Sequence, residues 1–148
     1  QIPELRRRLG MVFQDFHLFK QWTVAHNLSF VLVATDWRDK EAMRNRVEEV
    51  LAQVGLLEYF NTKVHQLSGG EQQRLAIARA IINKPEVIIA DEPTGNLDAD
   101  TADELLYLLN RICKENKSAL LFATHDYRVI EKFPARVFKC EEKTLVEI

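Results

Sequence analysis

Two short stretches of this chain combine residue types that can bind phosphate and activate water. The first is Leu67–Arg74 (LSGGEQQR), in which Ser68, Gly69 and Gly70 precede a helical pattern of apolar residues that predicts a helix over Glu71–Ile82. A helix N-terminus carries unpaired N–H groups and about half a positive charge, and glycines let an anion approach the backbone closely. This stretch therefore predicts a phosphate-binding site.

The second stretch is Val87–Glu92 (VIIADE), an apolar run followed by two carboxylates. The run predicts a buried parallel strand, and open α/β sheets bind ligands at the carboxyl ends of their strands. At that position one of the carboxylates of Asp91 and Glu92 can hold Mg²⁺, usually through water, while the other polarises an attacking water. Either stretch alone also fits an ordinary helix cap or a strand that ends in a turn. Together, in this order and separated by one helix, they favour a phosphate-binding helix end combined with a strand end that binds metal and activates water.

In this arrangement the chain resembles the ATP-binding-cassette (ABC) ATPases. Leu67–Arg74 resembles their signature motif, and Val87–Glu92 resembles their Walker B strand with its catalytic glutamate. The resemblance implies that ATP and Mg²⁺ are bound between the two cassettes of a homodimer. It also implies that Asp91 supports the Mg²⁺ and that Glu92 orients or deprotonates the attacking water. The signature residues that would close over the ATP held by the other cassette are Ser68, Gly69, Gly70 and Glu71.

Three further positions match motifs of that family. Gln14 follows a short apolar run and matches the Q-loop glutamine. The amide of this residue can accept a hydrogen bond from a metal-bound water and donate one to a phosphate oxygen. Thr94–Asp98 matches the D-loop, which assigns Asp98 to the nucleotide interface. His125 follows a predicted buried strand at Ser118–Ala123 and matches the switch histidine that contacts the γ-phosphate. Without the resemblance, a lone histidine there is usually an ordinary polar residue.

The composition agrees with a globular core and excludes several classes of function. The 148 residues are 47% hydrophobic and 28% charged, with a net charge of −2, which gives no drive toward nucleic acid or anionic lipid. No apolar run approaches the roughly 20 residues that span a bilayer, and no signal-peptide pattern occurs. Cys113 and Cys140 have no metal-ligand spacing and are expected to be free thiols in a reducing cytosol.

The resemblance implies an α/β fold in which residues 1–148 are a partial ABC ATPase domain. We expect the C-terminal portion of a P-loop NTPase parallel sheet, with an all-helical subdomain at about 24–84 inserted between core pieces at about 1–23 and 85–148. Thr23 is expected to cap the first inserted helix, and the basic run Arg6–Arg8 to lie on a solvated turn or helix face. Periodicity predicts further helices at Val24–Val33, Trp37–Leu56, Leu57–Phe60, Asp100–Glu115 and Tyr127–Phe133, and further strands at Gly10–Phe13, Arg136–Lys139 and Leu145–Ile148.

The phosphate-binding P-loop of the family does not occur in this sequence. No G-x-x-x-x-G-K-[ST] pattern includes any of its five glycines, and we expect the P-loop to precede Gln1. We therefore expect residues 1–148 by themselves not to hydrolyse ATP. We also expect one side of the sheet to expose apolar residues, near Met11–Phe13, Val87–Ala90 or Ala119–Ala123.

Details of the motifs favour the cell-division branch of the family. The EPTGNLD run of Glu92–Asp98 is typical of cell-division, lipoprotein-release and macrolide-export ATPases, and the GMVFQDF run of Gly10–Phe16 is most similar to the cell-division type. The resemblance implies a bacterial protein that lies peripherally on the cytoplasmic face of the inner membrane, with an integral membrane subunit docked near Gln14–Lys20. The apolar loop residues predicted to be exposed for this contact are Phe16, Leu18 and Phe19.

Two other functions are compatible with the sequence. An ABC ATPase that acts on DNA would carry a long coiled coil between the Q-loop and the signature, whereas this interval is short and has no sustained heptads. No nucleic acid partner is therefore expected. A non-catalytic interaction module would have no reason to keep Gln14, Glu92 and His125 together. The sequence upstream of Gln1 separates these alternatives, because a P-loop there indicates an enzyme.

Overall fold

The computed structural model describes residues 2–148 and confirms an α/β organisation with a parallel sheet and a helical segment between its first two strands. The division into subdomains at 24–84 stays a prediction. The helices are α1 (Ile2–Arg8), α2 (Val24–Ala34), α3 (Lys40–Gln53), α4 (Gly69–Ile81), α5 (Ala99–Asn116) and α6 (Tyr127–Lys132), with short 3-10 turns at Leu57–Tyr59 and Val64–Gln66. The strands are β1 (Leu9–Phe13), β2 (Val87–Asp91), β3 (Ala119–Ala123), β4 (Phe138–Glu141) and β5 (Thr144–Glu147).

The parallel sheet has the order β1-β2-β3, so the strand that carries the two carboxylates lies in its centre. Its register pairs Phe13 with Asp91 and Asp91 with Ala123. All three strands therefore end at the same level, and the residues that follow them lie side by side. β4 and β5 form a separate antiparallel hairpin. Their bounds differ by one or two residues from those of the strands predicted at Arg136–Lys139 and Leu145–Ile148.

The hydrophobic core joins one face of the sheet to the helical segment. Val12, Ile88 and Ala90 are fully buried and belong to the same cluster as the apolar residues of α2 to α5. Each fully buried leucine or isoleucine contributes about 1.5–3 kcal/mol relative to an exposed one. The core therefore fixes α4, which carries the signature residues, against the sheet whose edge carries the carboxylates.

The helix predicted at Trp37–Leu56 is shorter in the structure. α3 begins after Asp39, whose Oδ1 accepts hydrogen bonds from two N–H groups of the first turn at 2.9 and 3.1 Å, so this residue is the N-cap. The helix ends before Gly55, whose φ of +73° is left-handed. The predicted boundaries were wrong because the apolar periodicity of the sequence continues beyond both the N-cap Asp39 and the left-handed Gly55.

The helix predicted at Glu71–Ile82 begins two residues earlier, at Gly69. Ser68 is its N-cap: the Ser68 Oγ accepts from the Glu71 N–H at 3.2 Å, and the Glu71 Oε1 accepts from the Ser68 N–H at 2.9 Å. This reciprocal pair is a capping box. Gly69 and Gly70 therefore belong to the first helical turn. The prediction that these two glycines precede the helix was wrong.

β3 is an exposed strand, contrary to the prediction of a buried one. Leu121 is 60% exposed and Leu120 is 36% exposed. Within residues 2–148 this strand pairs only with β2, so its other edge has no strand partner. The exposure does agree with the separate expectation of apolar surface near Ala119–Ala123. A continuous apolar run predicts a strand well, but burial depends on what packs against it.

Several smaller expectations are confirmed. Arg6–Arg8 lies on α1, a helix with no buried residue, and the Thr23 Oγ1 accepts from the N–H three residues on at 3.1 Å, as a helix cap. The thiols of Cys113 and Cys140 are free. Among residues 2–148, no helix combines the length and hydrophobicity that crossing a bilayer requires.

Candidate functional site

The carboxyl ends of the three parallel strands bring four of the predicted site residues to one edge of the sheet. One residue follows β1, one ends β2, one follows β2, and one lies two positions beyond β3. Because the strand ends are in register, these positions are on neighbouring strands at one level. The four residues are Gln14, Asp91, Glu92 and His125.

Glu92 is tightly constrained at this edge. Its φ is +45°, a left-handed conformation that costs about 1 kcal/mol or more in a residue with a side chain. Its N–H donates to the Ala123 carbonyl at 2.9 Å, which extends the pairing with β3 by one position. Its Oε1 accepts from the His125 N–H at 2.9 Å, and the Thr124 hydroxyl donates to its Oε2 at 3.4 Å. The neighbouring strand therefore holds a carboxylate that is 21% exposed.

The ring of His125 contacts the same carboxylate, with Nδ1 hydrogen-bonded to the Glu92 Oε1. Because an ionised carboxylate can only accept, Nδ1 carries the proton in this pair. The side chain of His125 is 88% exposed, so Nε2 is left outside the pair and accessible. The pair thus combines an oriented carboxylate with a ring nitrogen available to another group.

Gln14 lies against the turn that follows Glu92. A Cβ on Gly95 would come within 2.5 Å of the Gln14 Nε2, so this placement of the amide requires glycine there. The Asn96 Nδ2 also donates to the Gln14 carbonyl at 3.3 Å. The predicted D-loop turn therefore holds Gln14 at the strand ends, with its side chain exposed.

The oxygen donors at this edge suit magnesium. Asp91 presents an exposed carboxylate at the end of β2, and Gln14 presents an exposed amide just past the neighbouring strand. Mg²⁺ commonly takes one or two protein oxygens and keeps several waters, which two such donors allow. No group of three His, Cys, Asp or Glu side chains within residues 2–148 forms a fuller protein metal site.

The second group of predicted site residues lies at the N-terminus of α4. The N–H groups of Gly69 and Gly70 have no partner within the helix, since the first turn lacks preceding carbonyls. The hydrogen bond from the Ser68 N–H holds the pKa of the Glu71 carboxyl below its usual value, so the capping box is intact at neutral pH. This helix end therefore offers two backbone donors and a fixed geometry.

The two glycines at this helix end have different surroundings. A Cβ on Gly70 would lie 2.9 Å from the Cγ2 of Thr101 in the first turn of α5, whereas nothing lies within 4 Å of a Cβ on Gly69. Neither glycine has a left-handed φ. Packing therefore accounts for glycine at position 70, and no contact within the described fold accounts for it at position 69.

Asp98 acts as the N-cap of α5 in this structure. Its Oδ2 accepts from the Thr101 hydroxyl at 2.6 Å and its Oδ1 from the Thr101 N–H at 3.0 Å. These hydrogen bonds, the hydroxyl first, lower the pKa of the Asp98 carboxyl. Because Thr101 also approaches Gly70, Asp98 fixes the D-loop beside the signature residues. The carboxylate that was predicted to face nucleotide is engaged in this cap.

Gln73 is a fully buried residue of the signature stretch Leu67–Arg74 that was not predicted to be a site residue. Its Nε2 donates to the Pro93 carbonyl and lies 3.5 Å from the Phe13 carbonyl oxygen, so it touches the ends of β1 and β2 from α4. One signal was available in the sequence: Gln73 lies four residues before Ile77, on the apolar side of the predicted helix.

Three apolar residues after Gln14 were predicted to be exposed. Only Phe19 is exposed in the structure, with 48% of its surface accessible. Phe16 and Leu18 are half-buried, and Leu18 packs against the core, so the prediction was wrong for these two. Phe19 stacks on Trp22 with ring centroids 4.2 Å apart, and Phe30 meets both rings edge-on at 5.5 Å. We refer to Phe19, Trp22 and Phe30 as the aromatic patch.

Comparison with known proteins connects this arrangement to a family. The family model described as ABC transporter matches residues 1–95. The cell division ATP-binding protein FtsE of Mycobacterium tuberculosis is 45% identical over 145 residues, which cover 98% of this chain and 62% of FtsE. The lipoprotein-releasing system ATP-binding protein LolD 1 of Caulobacter vibrioides is 45% identical over 120 residues, which cover 81% of this chain and 51% of LolD 1. The chain thus spans less than two thirds of these relatives.

Solved structures with the same fold include cbiO1 from Clostridium perfringens, described as part of the ABC transporter complex cbiONQ. It matches with a TM-score of 0.88 at 33% identity, over 98% of this chain and 58% of cbiO1. The cassette MJ0796, solved as a dimer bound to ADP and Pi, matches with a TM-score of 0.72 at 37% identity, over 86% of this chain and 56% of MJ0796. These similarities confirm the predicted fold class, a P-loop NTPase sheet with a helical insertion.

Proposed function

Because this chain belongs to the ABC transporter family, we propose that it forms the signature-bearing part of an ATP-hydrolysing subunit of a bacterial complex, of the cell-division type. The observation that carries the proposal is the Glu92–His125 pair at the carboxyl edge of the sheet, where the Thr124 hydroxyl and the His125 N–H, just after β3, donate to the carboxylate. A carboxylate in this position can orient or deprotonate water, and the adjacent ring nitrogen can contact a phosphate.

In the proposed mechanism, the chain's own residues position and neutralise charge. Glu92 orients the attacking water and accepts its proton, while Thr124 and the His125 backbone keep the carboxylate from turning away. A His125 ring protonated at both nitrogens would steady the same carboxylate through its Nδ1–H and donate from its Nε2–H to the γ-phosphate. Phosphoryl transfer requires little covalent chemistry from the protein, so positioned charges of this kind suffice.

Asp91 and Gln14 are the residues that would hold Mg²⁺ in this mechanism, through side-chain oxygens and water. A magnesium ion held there would supply positive charge toward the phosphates of the nucleotide. The hydrogen bond from Asn96 to the Gln14 carbonyl holds the backbone of Gln14 at the strand ends, where glycine at position 95 leaves room for its amide.

The N-terminus of α4 is the proposed contact to ATP held by a second copy of the protein. A helix end with free N–H groups binds phosphate, and the open space around Gly69 leaves room for one. Ser68, Gly70 and Glu71 fix the shape of this helix end. Asp98 caps the adjacent α5, and we propose that the D-loop it anchors joins the same interface.

The aromatic patch is the proposed docking surface for an integral membrane subunit, next to Gln14–Lys20. Its rings pack against one another while Phe19 and Phe30 stay about half exposed, which suits a protein contact. The protein would then lie peripherally on the cytoplasmic face of the inner membrane. No nucleic acid partner is expected.

The lipoprotein-release type is a second candidate, because LolD 1 matches at the same 45% identity as FtsE. We expect the two types to act with different membrane subunits. Titrating the full-length protein with each type of membrane subunit, in detergent or nanodiscs, identifies the partner that stimulates ATP hydrolysis.

Glu92→Gln in the full-length protein tests the proposed activity. The amide keeps the shape but loses the proton-accepting charge, so we expect ATP binding to persist and phosphate release to fall by about 10²–10⁴-fold. Glu115→Gln, an exposed change at the far end of α5, is the matched control and is expected to keep wild-type turnover. Near-normal turnover in Glu92→Gln would contradict the role of Glu92. Residues 1–148 alone are expected to release no phosphate above the level of their own Glu92→Gln variant.

A further inference from the structure

The side-chain amide of Gln73 joins the ends of two neighbouring strands from within the core. The residue has no exposed surface. Its Nε2 hydrogen-bonds the Pro93 carbonyl and lies 3.5 Å from the Phe13 carbonyl oxygen. Phe13 directly precedes Gln14, and Pro93 directly follows Glu92. One amide group therefore contacts the backbone next to two of the proposed site residues.

The chemistry around Gln73 also determines which way its amide faces. Both neighbouring backbone groups are carbonyls, which only accept, so the NH₂ group must face them; a flipped amide would set its own oxygen against both. As a result the Gln73 Oε1 has no hydrogen-bond partner among the described residues. A buried acceptor without a partner destabilises a fold. Packing alone would therefore favour an apolar side chain of the same length, and the glutamine calls for a different explanation.

Arg79 makes a second connection from α4 to the segment after β1. Its Nη1 donates to the His17 carbonyl at 2.7 Å, and its Nη2 donates to the Phe16 carbonyl at 2.9 Å. Burial lowers the pKa of this guanidinium, which nevertheless stays charged at neutral pH. α4 thus holds backbone carbonyls on both sides of Gln14, through Gln73 before it and through Arg79 after it.

We propose that Gln73 is a positioning residue, which sets Gln14 and Glu92 relative to the phosphate-binding end of α4. It lies in the second turn of that helix, three residues after Gly70, so it moves with the helix end as one rigid unit. Its NH₂ group then fixes the backbone beside the metal ligand and beside the water-activating carboxylate. This inference rests on the proposed ATPase function.

Two substitutions in the full-length protein test the proposal. Gln73→Met keeps the length of the side chain and removes the donor, so we expect kcat to fall at least tenfold while the Kd for a fluorescent ATP analogue stays within twofold of wild type. Gln73→Glu keeps an O–H donor for the Pro93 carbonyl only while the introduced carboxyl is protonated. Its kcat, divided by that of wild type at each pH, should therefore fall as pH rises from 6 to 9, whereas the same ratio for Gln73→Met stays flat.

Ile112→Val is the matched control, because Ile112 is fully buried on α5 and lies outside these contacts. It lowers stability without touching the strand ends, and its kcat should stay within twofold of wild type. Wild-type kcat in Gln73→Met would overturn the proposal, as would a loss of kcat that follows Tm equally in all variants. If Gln73→Met unfolds, the pH dependence of Gln73→Glu decides the matter, and a flat ratio refutes the inference. Absence of ATP hydrolysis in the wild type would refute the proposed function itself.

Discussion

Alanine substitutions at Gly69 and Gly70 are expected to change the free energy of unfolding in opposite directions. Both residues lie in the first turn of α4, and neither has a left-handed φ. Alanine restricts the unfolded chain more than glycine does, which stabilises a protein by about 0.4–1 kcal/mol where the folded conformation allows it. Nothing lies within 4 Å of a Cβ on Gly69, so Gly69→Ala should gain this amount.

Gly70→Ala has the same gain but adds a steric cost. Its new methyl group would lie 2.9 Å from the Thr101 Cγ2, closer than the roughly 3.5–4.0 Å of a normal carbon contact. Thr101 cannot rotate away without breaking the 2.6 Å hydrogen bond from its hydroxyl to Asp98. Overpacking of this kind costs about 1–3 kcal/mol. Since the gain is common to both variants, their difference should equal that cost.

Urea unfolding of the purified chain, followed by circular dichroism, measures this difference. In a chain of this size each kcal/mol also shifts Tm by about 2–4 °C. Thr101→Ser removes the Cγ2 but keeps the hydroxyl that bonds Asp98. The penalty of Gly70→Ala should therefore disappear in the Thr101→Ser background, and the double-mutant cycle isolates the one contact.

Equal stabilities of the two alanine variants would refute this reasoning, and so would a Gly70→Ala penalty that persists beside Thr101→Ser. The same pair of variants separates folding from activity in the full-length protein. Gly69→Ala is expected to be at least as stable as wild type yet to hydrolyse ATP more slowly, because its methyl group occupies the space proposed for the phosphate.

Three further predictions concern the surface, a helix cap and the thiols. Phe19→Ala should weaken the affinity for the membrane subunit about tenfold or more. The control Tyr107→Ala removes a 61% exposed ring from α5 and should leave this affinity unchanged. Equal affinities of the two variants would contradict docking at the aromatic patch. The pKa of Glu71 lies below its ordinary value of 4.5, so its extra stabilisation is complete above that pH and is lost as pH falls through the lowered pKa. Urea titrations should therefore find Glu71→Gln about 0.5 kcal/mol less stable than wild type at pH 7, and this gap should close as pH falls through the lowered pKa. A gap independent of pH would argue against a role of the charge. Burial raises the pKa of Cys113 to about 11, while Cys140 is exposed. A thiol reagent at pH 8 should therefore label Cys140 quickly and Cys113 only after unfolding in urea. Fast labelling of both thiols in the folded chain would contradict the packing of α5.

Much of the candidate site could be predicted from the sequence because its signals are local. Glu92 was identified as the residue after a short apolar strand, and parallel strands bring their carboxyl ends to one edge of a sheet. Thr23 was identified as a cap because capping involves only the next three residues. The same locality explains the errors in α3, where the cap Asp39 and the left-handed Gly55 were outweighed by a longer apolar pattern.

Exposure could not be read from the sequence in the same way. Ser118–Ala123 has the apolar run of a buried parallel strand, yet β3 is an edge strand with Leu121 60% exposed. Leu18 was expected on the surface, yet it packs against the core. In each case burial depends on which distant element packs against the residue, and residue type carries only a preference.

The sequence by itself determined which residues can do chemistry, since the two carboxylates after the central strand, the histidine after the next strand and the Ser-Gly-Gly helix start are all marked by their immediate neighbours. Only the tertiary structure decided how these groups are held. It brought Thr101 to Gly70 and placed the amide of Gln73 between the carbonyls of Phe13 and Pro93. The Gln73 contacts join positions 20 and 60 residues apart, and such pairings depend on how α4 packs on the sheet, which no local pattern of residues encodes.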